Sequence, residues 1–214
     1  VEPLNPASFV CESSGEFVWQ SERSGSNQLY LYNLDGKLIK QLSSGAFTVT
    51  RYIGSSKDGR QFYAEIADRN GLDRKLLQTD RNGKMRIVTK ENGVHTVSLS
   101  DSKKFIIDHF SSLENPRRIS ILNEKGIMQR QLLQASDPLS GYDLPKPEII
   151  SLNASDGTAL NGRLFKPANM EQGKRYPVIL YVYGGPHAQM VSNRWLGGAN
   201  LWLSWMASKG YVVF

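Results

Sequence analysis

Apolar residues gather in short runs separated by polar turns, and over the first two-thirds of the chain the pattern repeats. Phe17-Val18-Trp19-Gln20, Phe62-Tyr63-Ala64-Glu65 and Phe105-Ile106-Ile107-Asp108 each open a strand-like run. Each follows a polar turn: Glu12-Ser13-Ser14-Gly15, Lys57-Asp58-Gly59-Arg60 and Asp101-Ser102-Lys103-Lys104. A loop comes next (Arg23-Ser24-Gly25, Asp68-Arg69-Asn70-Gly71, Leu113-Glu114-Asn115-Pro116), then a hairpin turning at Asp35-Gly36, Asn82-Gly83 or Lys125-Gly126. Asp-Gly and Asn-Gly supply the positive φ that tight hairpins need, and Lys-Gly is a weaker signal of that kind. The period, roughly 45 residues, suits four-stranded propeller blades. In the second repeat it predicts strands over 48–53, 61–67, 75–79 and 85–89. Strand spacing alone also allows a β-sandwich, but the long regular period favours a propeller. The alternation Leu29-Tyr30-Leu31-Tyr32 predicts a half-buried strand. Three repeats and a strand start over 4–10 are too few to close a ring, since propellers have four or more blades.

The pattern breaks at Asp137-Pro138, and Leu144-Pro145-Lys146-Pro147 reads as a linker. Alternating residues 148–154, the turn Ser155-Asp156-Gly157 and a run over 160–165 predict two antiparallel strands. Residues 178–183, β-branched and aromatic, predict a strand buried on both faces, and Gly184-Gly185-Pro186 must end it. Residues 195–208 predict a helix with Trp195, Leu201, Trp202, Trp205 and Met206 mostly on one side. Its first turn is weakened by Gly197-Gly198, and Lys209-Gly210 stops it. A further buried strand spans 211–214.

Composition narrows the function classes. Forty per cent of residues are hydrophobic, enough for a packed core. The single cysteine, Cys11, excludes an internal disulfide and reads as a buried structural thiol. Net charge is +6, but the cations are scattered, with local pairs only at Lys103-Lys104 and Arg117-Arg118. That pattern predicts a solvated basic surface and no nucleic-acid binding. No apolar run approaches the roughly 18 residues of a membrane span. The chain starts at Val1 without a signal-like segment, as a fragment or processed chain would. No close His, Cys or carboxylate group has metal-site spacing.

Candidate chemistry centres on Tyr183. In α/β-type serine hydrolases the loop after the third strand helps to build the oxyanion hole, which needs donors aimed at the developing oxyanion. Tyr183 ends the apolar run, immediately before Gly184-Gly185-Pro186, and carries a phenol that can donate. On spacing alone, a core strand and a turn are the simpler account of this stretch. A serine hydrolase also needs a nucleophile on a G-x-S-x-G elbow, and these 214 residues contain none. Ser155 and Ser192 lack that setting. His187 reads as a loop-holding residue, and His95 and His109 fall in the repeats.

The string Lys174-Arg175-Tyr176-Pro177, continued through Val178-Ile179-Leu180-Tyr181-Val182-Tyr183-Gly184-Gly185-Pro186-His187-Ala188-Gln189, resembles the prolyl oligopeptidase family of serine peptidases. YVYGGPHAQ is most similar to its dipeptidyl peptidase IV branch, the bacterial prolyl tripeptidyl aminopeptidases and dipeptidyl aminopeptidases especially. Val1-Glu2-Pro3-Leu4, Phe17-Val18-Trp19-Gln20-Ser21 and Leu29-Tyr30-Leu31-Tyr32 extend the resemblance. It implies a mainly β fragment: propeller blades over 1–143 and the start of an α/β-hydrolase domain over 144–214. It implies that Tyr183 contributes to the oxyanion hole and that the Ser, Asp and His of the triad lie beyond Phe214. The glutamate pair that holds the substrate amine would lie before Val1, with Glu2 possible near the cavity. Trp19, Tyr30 and Tyr32 are expected in blade cores. The implied activity is release of dipeptides or tripeptides after proline from substrates with a free N-terminus, without a cofactor, in the periplasm or at the cell surface. A homo-oligomer is compatible with it, and the fragment alone should be inactive. A propeller-based binding module is the rival class.

Overall fold

The structure, a computed structural model, describes residues 7–10, 14–185 and 188–214. Glu2, Leu4, Cys11, Pro186 and His187, and the expectations attached to them, lie outside the described residues. The described chain is mainly β with one α-helix. Three antiparallel meanders come first. Strands β1 (Ser8–Phe9), β2 (Glu16–Ser21), β3 (Gln28–Asn33) and β4 (Leu38–Gln41) form a four-stranded sheet in sequence order. The second meander holds β5 (Phe47–Ser55), β6 (Gln61–Asp68), β7 (Arg74–Asp80) and β8 (Met85–Ile87), close to the ranges the repeat predicts. The third holds β9 (Val94–Leu99), β10 (Phe105–Ser111), β11 (Arg118–Asn123) and β12 (Met128–Gln134). β9 also bonds to β7, so these two meanders join into one eight-stranded sheet.

The repeat is local chemistry used three times. Asn33, Asp80 and Asn123 each open a hairpin, and the side-chain oxygen of each accepts the N–H four residues on, from Lys37 at 2.8 Å, Lys84 at 2.9 Å and Ile127 at 3.0 Å. The backbone bonds agree: Gly36, Gly83 and Gly126 donate to the carbonyls of those same three residues at 3.0, 3.0 and 2.9 Å. Only the glycine of each turn has positive φ, between 78° and 81°, so these are three-residue loops with one left-handed residue, not two. Gly126 has a second reason to be glycine: a Cβ there would lie 2.0 Å from the Val88 carbonyl oxygen.

Alternation explains the packing. Val18, Leu29, Leu31 and Leu42 of the first meander meet Val49, Phe62, Ala64, Ile66 and Leu77 of the second. The opposite face of the second, with Tyr63, Leu76 and Val88, meets Val97, Ile106 and Leu122 of the third. Successive residues of β6 and β7 therefore serve opposite interfaces. For the same reason residues 28–31 are buried on both faces rather than half-buried. Tyr30 is core, Tyr32 is partly buried and stacks on Phe17 at 5.5 Å, and Trp19 is exposed rather than core.

Contacts divide the chain into two units, the first comprising Val1–Glu91, His95–His109 and Ile119–Leu132 and the second Asn92–Val94, Phe110–Arg118 and Leu133–Phe214. In the second, β13 (Glu148–Asn153) pairs with β14 (Ala159–Leu164) antiparallel, Glu148 opposite Leu164. β15 (Val178–Ile179) and β16 (Val212–Val213) pair in parallel around the helix α1 (Leu201–Ser208), and Phe165 bridges to Val213. The predicted helix over 195–208 is broken. Leu196 and Gly197 adopt left-handed φ of 57° and 62° inside a 3₁₀ turn over Trp195–Gly198. α1 then starts afresh, with the Asn200 side chain capping the Trp202 N–H at 3.1 Å. Its buried face is Leu203 and Ala207, packed on Phe165 and Val213, while Leu201, Trp202 and Trp205 are about half exposed. The small Ala207, one turn after Leu203, is what lets the helix approach the strands.

Candidate active site

Tyr183 lies beyond the end of β15. The parallel pairing that sets this strand is short: Val212 N–H donates to Pro177 O at 2.9 Å, Phe214 N–H to Ile179 O at 2.9 Å and Tyr181 N–H to Phe214 O at 2.6 Å. The run over 178–183 is therefore not the doubly buried strand its composition predicts. Among the described residues β16 is its sole strand partner, and Val178, Leu180 and Val182 are more than 60% exposed. Val213, flanked by β15 and Phe165, is buried as expected.

The Tyr183 ring folds back over Gly185. A Cβ at residue 185 would meet its Cε1, Cζ and Oη at 3.0 Å, so a side chain there would push the phenol out of place. Tyr183 is 47% exposed, and among the described residues its hydroxyl has no hydrogen-bond partner. Being a phenolic O–H, it is free to donate. It lines a cleft of about 430 Å³ with Asn161, Arg163, Tyr181 and Gln189.

Arg163 is the residue sequence reasoning missed. It is 6% exposed, and its Nη1 donates to the carbonyls of Met190 at 2.6 Å and Gly197 at 2.9 Å. Burial pulls its pKa down, opposed by the nearby Tyr181. The guanidinium ties the segment after the Tyr183 loop to the broken helix entry. A signal for it was available: residue 163 shares strand parity with the buried Phe165.

The other candidates stand apart from this chemistry. Ser192 is buried, with its N–H bonded to Gly197 O at 3.2 Å, and Ser155 lies in the turn after β13. His95 is a buried structural residue: Nδ1 faces both Asp108 carboxylate oxygens at 2.9 and 3.0 Å, and Nε2 faces Glu91 O at 3.0 Å. His109 is partly buried in β10. Among the described residues no group of three His, Cys, Asp or Glu could hold a metal, and no helix is long and apolar enough to cross a membrane.

Stacked four-stranded meanders, fitting the blades of a β-propeller, define the class of protein: mainly β and built by repetition. The profile of the dipeptidyl peptidase IV (DPP IV) N-terminal region matches residues 1–117, and the chain belongs to the dipeptidyl peptidase IV family. It is 33% identical over 141 residues to dipeptidyl peptidase 8 of Mus musculus, covering 61% of this chain and 16% of that protein. A crystal structure described as that of a candidate dipeptidyl aminopeptidase IV from Bacteroides ovatus superposes with a TM-score of 0.89 at 33% identity, covering 98% of this chain and 33% of that one. Porphyromonas gingivalis dipeptidyl peptidase 4 does so with a TM-score of 0.86 at 26% identity, over 97% and 29%. The chain thus spans a third or less of the length of these relatives.

Proposed function

We propose that this chain is part of a serine exopeptidase that releases dipeptides or tripeptides after proline from peptides with a free N-terminus. Residues 1–143 are blades of its propeller, and residues 144–214 begin an α/β-hydrolase domain. The parallel pairing of β15 and β16 around a helix, after an antiparallel leading pair, supports the latter. The observation that carries the reading is the Tyr183 hydroxyl beyond the end of β15, without a hydrogen-bond partner among the described residues and held over Gly185 in a chain of this family. When a nucleophile supplied by residues outside these 214 attacks the carbonyl after proline, negative charge collects on the carbonyl oxygen. A preorganised phenol stabilises that charge in the transition state more than the neutral carbonyl before it.

The test is Tyr183→Phe in the complete enzyme. Losing one oxyanion donor lowers kcat by about 10²–10³ with little change in ground-state binding. An unchanged kcat on a proline substrate, with chemistry rate-limiting, removes the assignment. Comparing Gly-Pro with Ala-Ala-Pro chromogenic substrates separates dipeptide from tripeptide release. N-acetylation abolishes cleavage if the free amine is required, and equal turnover of blocked peptides would indicate an endopeptidase.

A further inference from the structure

The stacked meanders present the same hairpin ends twice, and the two interfaces are finished differently. Between the first and second meanders, Arg81 in the β7–β8 turn reaches across to Glu16 at the start of β2, forming hydrogen bonds to both carboxylate oxygens. It also donates to Gly59 O at 3.2 Å. That ion pair closes the seam. One repeat further on, the corresponding positions are Glu124, in the β11–β12 turn, and Gln61, at the start of β6. They cannot form the pair, and Gln61 instead accepts from Gln78 Nε2 at 3.1 Å. Here the seam stands open as a cleft of about 620 Å³, formed wholly within the first unit.

The cleft is ringed by cations: Lys84, Arg86, Lys103, Lys104 and Lys125, against the two carboxylates of Asp80 and Glu124. Asp80 is committed to its own turn, accepting from Asn82 N–H and Lys84 N–H at 2.9 Å. Among the described residues none of the four lysines forms an ion pair. Lys103 stands at φ 58°, in the turn position where the sister turns carry Gly15 at 62° and Gly59 at 64°. A lysine there costs backbone energy that glycine would not. Tyr63 faces the cleft; its hydroxyl accepts from Gln78 Nε2 at 3.3 Å and keeps its own proton to donate. Burial raises its pKa, so it stays neutral.

We propose that this cleft binds a small polyanion bearing two or more phosphate groups. Mutual repulsion of unpaired lysines around one concavity is relieved by an anion, and the volume suits a small molecule. The choice of phosphate over carboxylate follows from which cations are free. A carboxylate is best read by the planar fork of arginine. The fork of Arg86 is occupied, by Gln78 Oε1 through Nε and Nη2 and by Glu124 O at 2.8 Å. What remains are lysine ammoniums, compact point charges that suit multi-oxygen phosphates.

The experiment is calorimetric titration of the protein with inorganic tripolyphosphate. Saturable binding is expected, with affinity reduced about tenfold by Lys103→Gly, a change that also suits the local φ. The double variant Gln61→Glu/Glu124→Arg installs the ion pair of the first seam. It should abolish binding although it makes the protein more positive, which separates a built cleft from a general charge effect. Lys37→Gln, in the equivalent hairpin of the first meander, should bind as wild type. No saturable binding, or wild-type affinity in Lys103→Gly, overturns the proposal. So does a Glu-rich peptide that binds the cleft and is not displaced by tripolyphosphate. If the double variant does not fold, Lys103→Gly still decides.

Discussion

Among the described residues the buried Tyr52 hydroxyl has no hydrogen-bond partner. The neighbouring Ser55 hydroxyl donates its own proton to Val10 O at 2.7 Å. Burial pushes the Tyr52 pKa well up. A phenol that ionises in the unfolded chain near pH 10 but not in the folded one favours unfolding only above that pH. Stability is therefore unaffected by this group below about pH 10 and falls as pH rises beyond it. Tyr52→Phe removes both the orphaned hydroxyl and the alkaline loss. The expected outcome is a gain of about 1 kcal/mol at neutral pH and a flatter alkaline limb in denaturant titrations. A loss of stability at neutral pH would mean that the hydroxyl has a partner. No sequence pattern marks such a residue: Tyr52 sits where the β5–β6 register shifts, and only the third dimension shows what its oxygen fails to meet. Tyr183 was legible for the opposite reason, because its place at the end of an apolar run, before two glycines, is a one-dimensional fact. Arg163, 20 residues upstream, offered only its shared parity with Phe165, since its partners are carbonyls on a segment whose path the sequence does not fix.

Among the elements, hairpins were read well and the helix less so. Gly36, Gly83 and Gly126 mark turns because the left-handed conformation costs other residues energy, and that cost is visible in the sequence. Lys103 accepts the same conformation without any sequence signal. The helix face was misassigned because three tryptophans and a leucine outweigh Leu203 and Ala207 in any hydrophobic reading, yet the small residues make the contact. Between meanders, side chains do what strand pairing does elsewhere. Glu65 accepts Val97 N–H at 3.0 Å while its partner Arg51 donates to Val97 O at 3.0 Å, with the Arg51–Glu65 bond at 2.7 Å. An ion pair thus engages both backbone groups of one β9 residue. Glu65→Ala leaves that N–H without its acceptor and should cost about 2–3 kcal/mol. Arg51 is half exposed, so the Coulomb part is small. Hydrogen exchange should report faster opening at the Val97 amide first; unchanged protection there would show that the clamp is dispensable.

At the level of the molecule, apolar surface is left open on each of the two units. Ile127, Met128, Leu132 and Leu133 at the third meander are exposed, as are Val178 of β15 and Leu180, Tyr181, Val182 and Tyr183 beyond it. Unpaired strand edges carrying apolar side chains template association with other chains. The 214-residue polypeptide on its own is therefore expected to self-associate in light scattering. With no elbow serine in the sequence, it should also fail to label with a fluorophosphonate. A clean monomer would contradict the first expectation, and stoichiometric labelling of a serine the second. The three meanders were legible as a repeat that stops near Asp137, and their last strand ends at Gln134. The fusion of two meanders into one eight-stranded sheet was not, because it depends on hydrogen bonds between β7 and β9 that no periodicity encodes.

The double-sided second meander also bears on synthesis. Leu29, Leu31 and Leu42 leave the ribosome before the residues that cover them, the last fully buried one of which, Leu77, follows about 35 residues later. At ordinary elongation rates that interval is roughly 2–7 s, far longer than the microseconds in which a hairpin closes. Each meander is thus formed but uncovered for seconds, and the order of translation makes the next repeat the first partner it meets. Slowing the ribosome just after Leu42 should raise aggregation of nascent chains, because Leu29, Leu31 and Leu42 then wait longer for the residues that cover them.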